Sequence, residues 1–211
     1  MPRLSTTFAL LLLFAAAMLP AHAQTQPTAP AKPDAATVAA YVKGTFKSAP
    51  AEWQARIEQD ETQKVCSELR NNLPVAEFDK VLAREKANVV MPADGQVLGN
   101  WKEGQKLAQR GTGGQFSDTA TTPRGGNCYA CHQLSRAELS FGTLGPSLTE
   151  YGKIRKYAPD EAKAAYAKIY NAQSVMPCSN MPRLGHNKFL TEQNIKDLTA
   201  YLFDPESPVN K

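Results

Sequence analysis

The sequence has 211 residues, of which 42% are hydrophobic, with 24 lysines and arginines against 20 aspartates and glutamates. This composition predicts a globular protein. Disorder throughout would need fewer apolar residues or a larger net charge, and several membrane spans would need several apolar runs of about 18 residues. The net charge of +4 arises from both signs spread along the chain. Because nucleic-acid binding needs a concentrated basic face, we expect no nucleic-acid partner.

The first 23 residues have the pattern of a cleaved signal peptide. Arg3 lies in a short polar start, residues 8–19 form an apolar run, and Ala-His-Ala at 21–23 is a cleavage site with small residues at both ends. The run is too short to cross a bilayer, which takes about 20 residues. No twin-arginine pair precedes it, so we expect an unfolded chain to be exported to the periplasm, with any cofactor inserted afterwards and no membrane partner.

Residues 24–33 are rich in Gln, Thr, Pro and Ala, which predicts a flexible tether. Residues 34–99 then carry apolar residues at helical spacing in about three stripes, and Pro50 and Pro74 fall where helices would start. No catalytic motif occurs here, so we interpret this segment as a helical N-terminal extension. The stripes are Val38, Tyr41, Val42 and Phe46; Trp53, Ile57, Val65 and Leu69; and Val75, Phe78 and Leu82.

Residues 100–211 predict a second helical domain. One helix begins near Trp101, and another follows Pro159. Thr191 is placed to cap a final amphipathic helix, which should end at Asp204 because proline disfavours helix in the residue before it. Between the first two of these helices, residues 111–126 form a Gly- and Thr-rich loop without periodicity.

That loop leads into Cys128-Tyr-Ala-Cys131-His132, a C-x-x-C-H motif that is typical of covalent c-type haem attachment. Two thiols three positions apart on a helical turn can each add to one haem vinyl group, and the next histidine then lies beneath the iron as its proximal ligand. The alternatives are half of a zinc site, a thioredoxin-like dithiol or a chance match. A zinc site would require two more closely spaced ligands, and a thioredoxin fold would require a βαβ pattern. The turn at residues 144–148 could present a backbone carbonyl to the His132 Nδ1–H and so fix its tautomer.

The sixth position on such an iron separates electron transfer from gas or peroxide chemistry. Met181 lies in a loop of turn-forming residues that can hold a thioether against the iron, and we favour it as the distal ligand. Met176 and His186 are the other candidates. A thioether ligand favours ferrous iron and raises the reduction potential relative to two histidines, which suits an electron acceptor.

Two cysteines lie outside the haem motif: Cys66 in the extension and Cys178 three residues before Met181. An even remainder in an exported protein indicates a disulfide, whose long loop would stabilise the fold by roughly 4 to 5 kcal/mol in the chain-entropy model. Two separate free thiols are the alternative. The disulfide would tie the extension to the Met181 loop, so we expect its reduction to loosen Met181.

The Trp101 helix, the C-x-x-C-H motif, the Leu-Gly-Pro-Ser-Leu segment at 144–148 and the terminal helix run in the order of class I cytochrome c domains. Gly126-Asn ahead of the motif, Met181-Pro-Arg-Leu-Gly and the terminal Ser-Pro-Val-Asn at 207–210 more specifically resemble the SoxX family of monohaem cytochromes. The resemblance covers about half of the chain, whereas the extension at 34–99 departs from the shorter family members. It implies an all-α fold, a class I cytochrome c domain preceded by an N-terminal extension of about three helices.

The resemblance also implies a function. SoxX proteins pair with SoxA in the periplasm, and the SoxAX complex, an L-cysteine S-thiosulfotransferase, joins thiosulfate to a cysteine of the SoxY carrier in SoxYZ. The catalytic haem is then expected on SoxA, and this chain would carry no catalytic residue of its own. It would hold one covalent haem c through Cys128 and Cys131, with His132 and Met181 on the iron, and pass electrons to a soluble cytochrome. An independent monohaem electron carrier is the alternative, and an open-iron gas or peroxide site requires that Met181 does not ligate.

Overall fold

The computed structural model describes residues 33–211 apart from residues 116 and 120. The predicted signal peptide and all of the predicted tether except Pro33 therefore lie outside the described residues. The chain divides into two units, residues 1–41 and residues 42–211. The functional residues predicted above all belong to the second unit.

The described residues form helices and no strand, which confirms the predicted all-α fold. Three short 3-10 turns, at Cys128–Ala130, Ala172–Ser174 and Pro208–Asn210, supplement the α-helices. The α-helices are α1 (Ala35–Thr45), α2 (Ala51–Ile57), α3 (Glu61–Glu68), α4 (Val75–Ala87), α5 (Trp101–Gln109), α6 (Tyr151–Ile154), α7 (Pro159–Tyr170) and α8 (Glu192–Phe203).

The extension contains four described helices where about three were predicted. The apolar stripe read as one helix is interrupted between α2 and α3, where Glu58 is extended at ψ 125°. Asp60 then starts α3 with a reciprocal cap: its carboxylate accepts from the Gln63 backbone N–H, and the Gln63 side chain accepts from the Asp60 N–H. Pro50 and Pro74 directly precede α2 and α4, as predicted.

The core of the second unit forms where α5 and α8 cross. At Gly104 a Cβ atom would lie 2.0 Å from the Asp197 carbonyl oxygen, so only glycine permits this approach of the two helices. Buried Leu107, Leu198 and Tyr201 fill the space beside the crossing. Burying this apolar area is the main favourable contribution to the stability of the domain.

The end of the chain is fixed onto α6 and α8. The Asn210 side-chain oxygen accepts from the Gly152 N–H at 3.0 Å, and its amide donates to the Leu202 carbonyl at 3.1 Å. Thr191 caps α8 as predicted, and the helix ends at Phe203 with Asp204 extended. The Ser-Pro-Val-Asn ending is therefore part of the packed structure.

Within the second unit, α4 packs against the 3-10 turn Ala172–Ser174 that follows α7. The predicted boundary between residues 99 and 100 stays a prediction. Over the part of the chain that the structure describes, no helix combines the length and apolarity needed to cross a membrane.

Candidate functional site

The C-x-x-C-H motif forms a tight turn at the start of the site. Asn127 adopts a left-handed conformation at φ 47°, which reverses the chain into the 3-10 turn Cys128–Ala130. The Cys128 carbonyl accepts from the backbone N–H groups of Cys131 and His132, at 3.1 and 2.9 Å. This turn brings the two thiols and the imidazole together within residues 128–132.

Cys128 and Cys131 are both free, partly buried thiols. Cys128 lines a cavity together with His132, whereas Cys131 lies outside that lining. Removal from solvent, with a smaller contribution from the neighbouring Cys131, raises the pKa of the Cys128 thiol to about 12. The thiol is thus neutral at physiological pH in the chain as described.

The orientation of His132 is fixed by the turn that follows it. Its Nδ1 lies 2.7 Å from the Pro146 carbonyl oxygen, so the structure identifies which carbonyl of the predicted 144–148 turn contacts the imidazole. A carbonyl can only accept, so Nδ1 donates, and in the neutral imidazole this leaves the Nε2 lone pair for a metal. Gly145 makes this approach possible, because a Cβ atom there would lie 2.1 Å from the imidazole Cε1.

The cavity that contains His132 has a volume of about 260 Å³ and a mainly apolar wall. Helices α5, α7 and α8, the C-x-x-C-H motif and the segments at residues 146–155 and 181–184 all contribute to the lining. Its apolar lining residues include Ala108, Leu134, Pro146, Leu148, Ile154, Ala165, Ile169, Leu184, Leu198 and Leu202. An apolar wall with few polar groups is what a flat hydrophobic cofactor requires.

Of the three candidate distal ligands, Met181 is the one that lines this cavity. It is partly buried and packs against the core. Met176 is 52% exposed and lies outside the lining, and His186 also lies outside it, with Nε2 3.5 Å from Arg183 Nη1. The structure thus brings Met181 and His132 to one space, while ligation of iron by both stays a prediction.

The residues fit a haem c. Two free thiols at C-x-x-C spacing, an imidazole with Nε2 available, a thioether in the same cavity and an apolar wall form the donor set that such a group needs.

Cys66 and Cys178 form a disulfide, which confirms the predicted pairing. It joins α3 of the extension to the loop that carries Met181, three residues before that side chain. The extension is therefore covalently attached close to the candidate site.

Sequence reasoning missed the polar residues around the cavity. The hydroxyl groups of Tyr129 and Tyr201 lie 2.8 Å apart, and Arg155 and Lys168 bring positive charge to the lining. Arg183 is buried two residues after Met181. Tyr129 lies inside the motif and Arg183 beside the candidate ligand, so proximity in sequence could have indicated these two. Arg155 and Lys168 carry no such signal.

Two comparisons with known proteins bear on the site. Residues 101–204 match the family model Cytochrome c. The chain is also 39% identical over 159 residues to an uncharacterized lipoprotein of Aquifex aeolicus strain VF5, a match that covers 72% of this chain and 73% of that protein. Because this match is much longer than the cytochrome c domain, the similarity extends into the helices before residue 101.

The family model covers the residues that line the cavity, including the C-x-x-C-H motif and Met181. Members of this family carry covalently bound haem c and transfer electrons through it. The chain therefore contains a cytochrome c domain, at residues 101–204.

Proposed function

We propose that this protein is a periplasmic monohaem cytochrome c that serves as the electron-accepting subunit of a thiosulfate-oxidising SoxAX complex. The observation that carries the electron-transfer part is the cavity that brings Cys128, His132 and Met181 together. The assignment to SoxAX rests on the resemblance of Met181-Pro-Arg-Leu-Gly and of the terminal Ser-Pro-Val-Asn to the SoxX family. The described role of Asn210, which bonds to α6 and α8, gives that ending a structural reason.

Each residue of the site has a distinct part in this function. Cys128 and Cys131 would form the two thioether bonds, and His132 would bind the iron through Nε2 while Pro146 holds Nδ1. Met181 would supply the second protein ligand to the iron. When bound, the haem supplies a reversible one-electron change at iron. If both His132 and Met181 hold the iron, the site would favour electron transfer over gas binding or peroxide chemistry.

The reaction of the whole complex explains why an acceptor is needed. Joining a SoxY thiol to thiosulfate forms one S–S bond and releases a proton and two electrons. A single iron takes one electron at a time, so this chain must pass each one to a soluble acceptor cytochrome before it takes the next. The catalytic haem belongs to SoxA in this proposal, and the present chain contributes no residue to bond formation.

An independent soluble monohaem carrier is the second candidate. It is favoured by the cytochrome c domain itself, since that domain alone supports electron transfer without an obligate partner. The two candidates differ in whether the protein binds SoxA and affects the thiosulfate reaction.

The predicted signal peptide supports placement in the periplasm. The relative from Aquifex aeolicus is described as a lipoprotein.

The proposal is tested with protein matured in cells that attach haem c. Haem is counted per chain, and the protein is then mixed with SoxA and SoxYZ to measure complex formation and thiosulfate-dependent modification of SoxY. We expect one haem, a stable complex and haem reduction during turnover. Met181→Ala should abolish efficient electron uptake, whereas Met176→Ala, the exposed matched control, should leave it unchanged.

A haem protein that elutes alone and has no effect on the reaction would establish the independent carrier instead. Loss of electron uptake in Met176→Ala, with Met181→Ala unaffected, would contradict the assignment of Met181 and identify Met176 as the distal ligand.

A further inference from the structure

A buried arginine follows the candidate distal ligand by two residues. Arg183 is 6% exposed, and its guanidinium pairs with two carboxylates of the extension. Nη2 contacts Asp60, which caps α3, and Nη1 lies 3.5 Å from Oε2 of Glu85 in α4. A buried charge must be paired to be tolerated, so the position of Arg183 depends on these two helices.

Glu85 is itself held by several partners. It is 2% exposed, in the last turn of α4, where the helix dipole disfavours an acidic side chain. The Thr62 hydroxyl donates to Oε1, and the Asn171 amide donates to Oε2 at 2.8 Å. Arg84 in turn donates to the Thr62 hydroxyl at 3.0 and 2.8 Å. A buried network in which each member is bonded favours one geometry over alternatives.

The same loop is also fixed on the other side of Met181. The disulfide holds Cys178 to α3, and the Cys178 N–H donates to Oε1 of Gln173 at 2.6 Å. Only residues 179–182 lie between this anchor and Arg183. Within them the Met181 N–H donates to the Ser179 hydroxyl at 3.2 Å.

We propose that α3 and α4 of the extension are a brace that positions Met181 as a distal ligand. The brace acts through Arg183 on one side of the methionine and through the Cys66–Cys178 disulfide on the other. This inference rests on the proposed function, because it takes Met181 as the ligand. Glu85 is a positioning residue in it, since its contact to the loop is made through Arg183.

The physical advantage is a smaller conformational cost of ligation. A free loop gains backbone and side-chain entropy when its ligand leaves the metal, and that gain favours the detached state. Anchors three residues before and two residues after Met181 limit this gain, so the thioether is held near its bound position in both oxidation states. The extension would thereby set how readily an external ligand replaces Met181.

The test uses the ferric holoprotein and added imidazole, which competes with a thioether for the iron. The near-infrared absorbance band of thioether-bound ferric haem reports ligation by Met181, and its loss on titration gives the imidazole Kd. Glu85→Gln leaves Arg183 with a weakened partner, far in sequence from the loop. We expect its imidazole Kd to fall about tenfold. Cys66→Ala with Cys178→Ala should lower the Kd as well.

Two matched variants on α4 serve as controls. Glu77→Gln removes an exposed carboxylate that pairs with Lys80, and its imidazole Kd should equal that of the wild type. Val81→Ala removes buried volume from the same helix. It lowers the free energy of unfolding without touching the Arg183 network, so its imidazole Kd should also be unchanged.

An unchanged imidazole Kd in Glu85→Gln would overturn the brace, as would an equal fall in Val81→Ala. If Glu85→Gln does not accumulate as folded protein, the double cysteine variant decides by the same criterion. Absence of the thioether band in the wild-type holoprotein would instead overturn the proposed ligand, and absence of haem would overturn the proposed function.

Discussion

Lys168 brings a positive charge into the wall of the haem cavity and has no ion-pair partner among the described residues. Arg155, the other cation in that wall, lies 3.4 Å from Glu161 and stacks over Tyr151. A haem carries two propionate groups, and a cavity with an apolar wall leaves them to these cations or to solvent.

We therefore expect Lys168→Gln to lower the midpoint potential, because a nearby positive charge favours the reduced, less positive iron. A fall of about 30 mV corresponds to roughly a threefold change in the equilibrium constant of a one-electron couple. A spectroelectrochemical titration measures it. Lys163→Gln is the matched control, since Lys163 lies on the same helix but pairs with Asp160. Equal shifts in both variants would contradict a local role of Lys168.

Gly145 has no room for a side chain. Its Cβ would lie 2.1 Å from the His132 ring, so Gly145→Ala must displace either the imidazole or the Pro146 carbonyl that orients it. We expect a reduced yield of haem-bearing protein, measured as the ratio of haem to polypeptide. Gly44→Ala, where a Cβ meets nothing within 4 Å, is the control, and an equal yield from both variants would contradict this expectation.

Residues close in sequence were the most predictable part of the site. The C-x-x-C-H motif and the Pro146 contact to His132 are local, because fewer than twenty residues and a single turn connect them. Lys168 was not predictable in this way. Its place in the wall depends on which face α7 turns toward the motif, and the packing of distant helices decides that.

At the scale of secondary structure, Asp60 connects two functions, since it caps α3 and pairs with Arg183. Asp60→Ala removes both contacts. Loss of a helix cap costs about 1 kcal/mol, and loss of a partner to a buried charge costs about 3 to 5 kcal/mol, with the partial exposure of Asp60 lowering the second figure. We expect a loss of about 2 kcal/mol or more in the free energy of unfolding, measured with urea. Glu58→Ala, whose change leaves both contacts intact, should cost much less.

The Asp60 carboxylate should also make the free energy of unfolding depend on pH in the acid range. Partial burial alone would raise the pKa of Asp60, but the Gln63 N–H and the Arg183 guanidinium outweigh it and hold the pKa below its ordinary 3.8. A lowered folded-state pKa stabilises the protein above that ordinary value, and this contribution is lost as the pH falls through the folded-state value. Urea unfolding is measured between pH 6 and 3 at about half-unit steps. As the pH falls, the free energy of unfolding should decrease less steeply in Asp60→Asn than in the wild type. Parallel curves would contradict this assignment.

The break between α2 and α3 shows where periodicity misleads. The apolar spacing of Trp53, Ile57, Val65 and Leu69 continues through the break, so it predicts one helix. The Asp60-x-x-Gln63 pattern is a helix-start signal in the same residues, and in the structure it takes precedence over the stripe. Element type was predictable here, and the number of elements was not.

For the whole molecule, the Cys66–Cys178 disulfide spans 112 residues. In the chain-entropy model a loop of this length stabilises the folded state by about 5 kcal/mol. We expect Cys66→Ala with Cys178→Ala to lose most of that free energy of unfolding, measured with urea on oxidised holoprotein. Thiol counting in the unfolded, unreduced wild type should find no reactive thiol, and two reactive thiols would contradict the pairing.

The structure joins the extension to the cytochrome c domain through the predicted disulfide, and also through the Arg183 network, which was not predicted. Long-range pairs of this kind are not encoded in local spacing. The cysteine count indicated the disulfide, because only two remained. Proximity to Met181 could have indicated Arg183, but nothing in the sequence indicated its distant partners Asp60 and Glu85. The similarity of the Aquifex aeolicus relative, which reaches into the extension, is consistent with the two parts being inherited together.

The positions of the four cysteines also bear on how the protein matures. Cys66 is synthesised first and Cys178 last, with both haem-motif cysteines between them. In an oxidising compartment four thiols allow three complete pairings, and only one of them joins Cys66 to Cys178, with the two motif cysteines then bonded to each other. Haem attachment consumes Cys128 and Cys131, so afterwards a single pairing remains. Haem attachment would thus limit disulfide formation to the Cys66–Cys178 pair. Cells unable to attach haem should accumulate chains with other cysteine pairings.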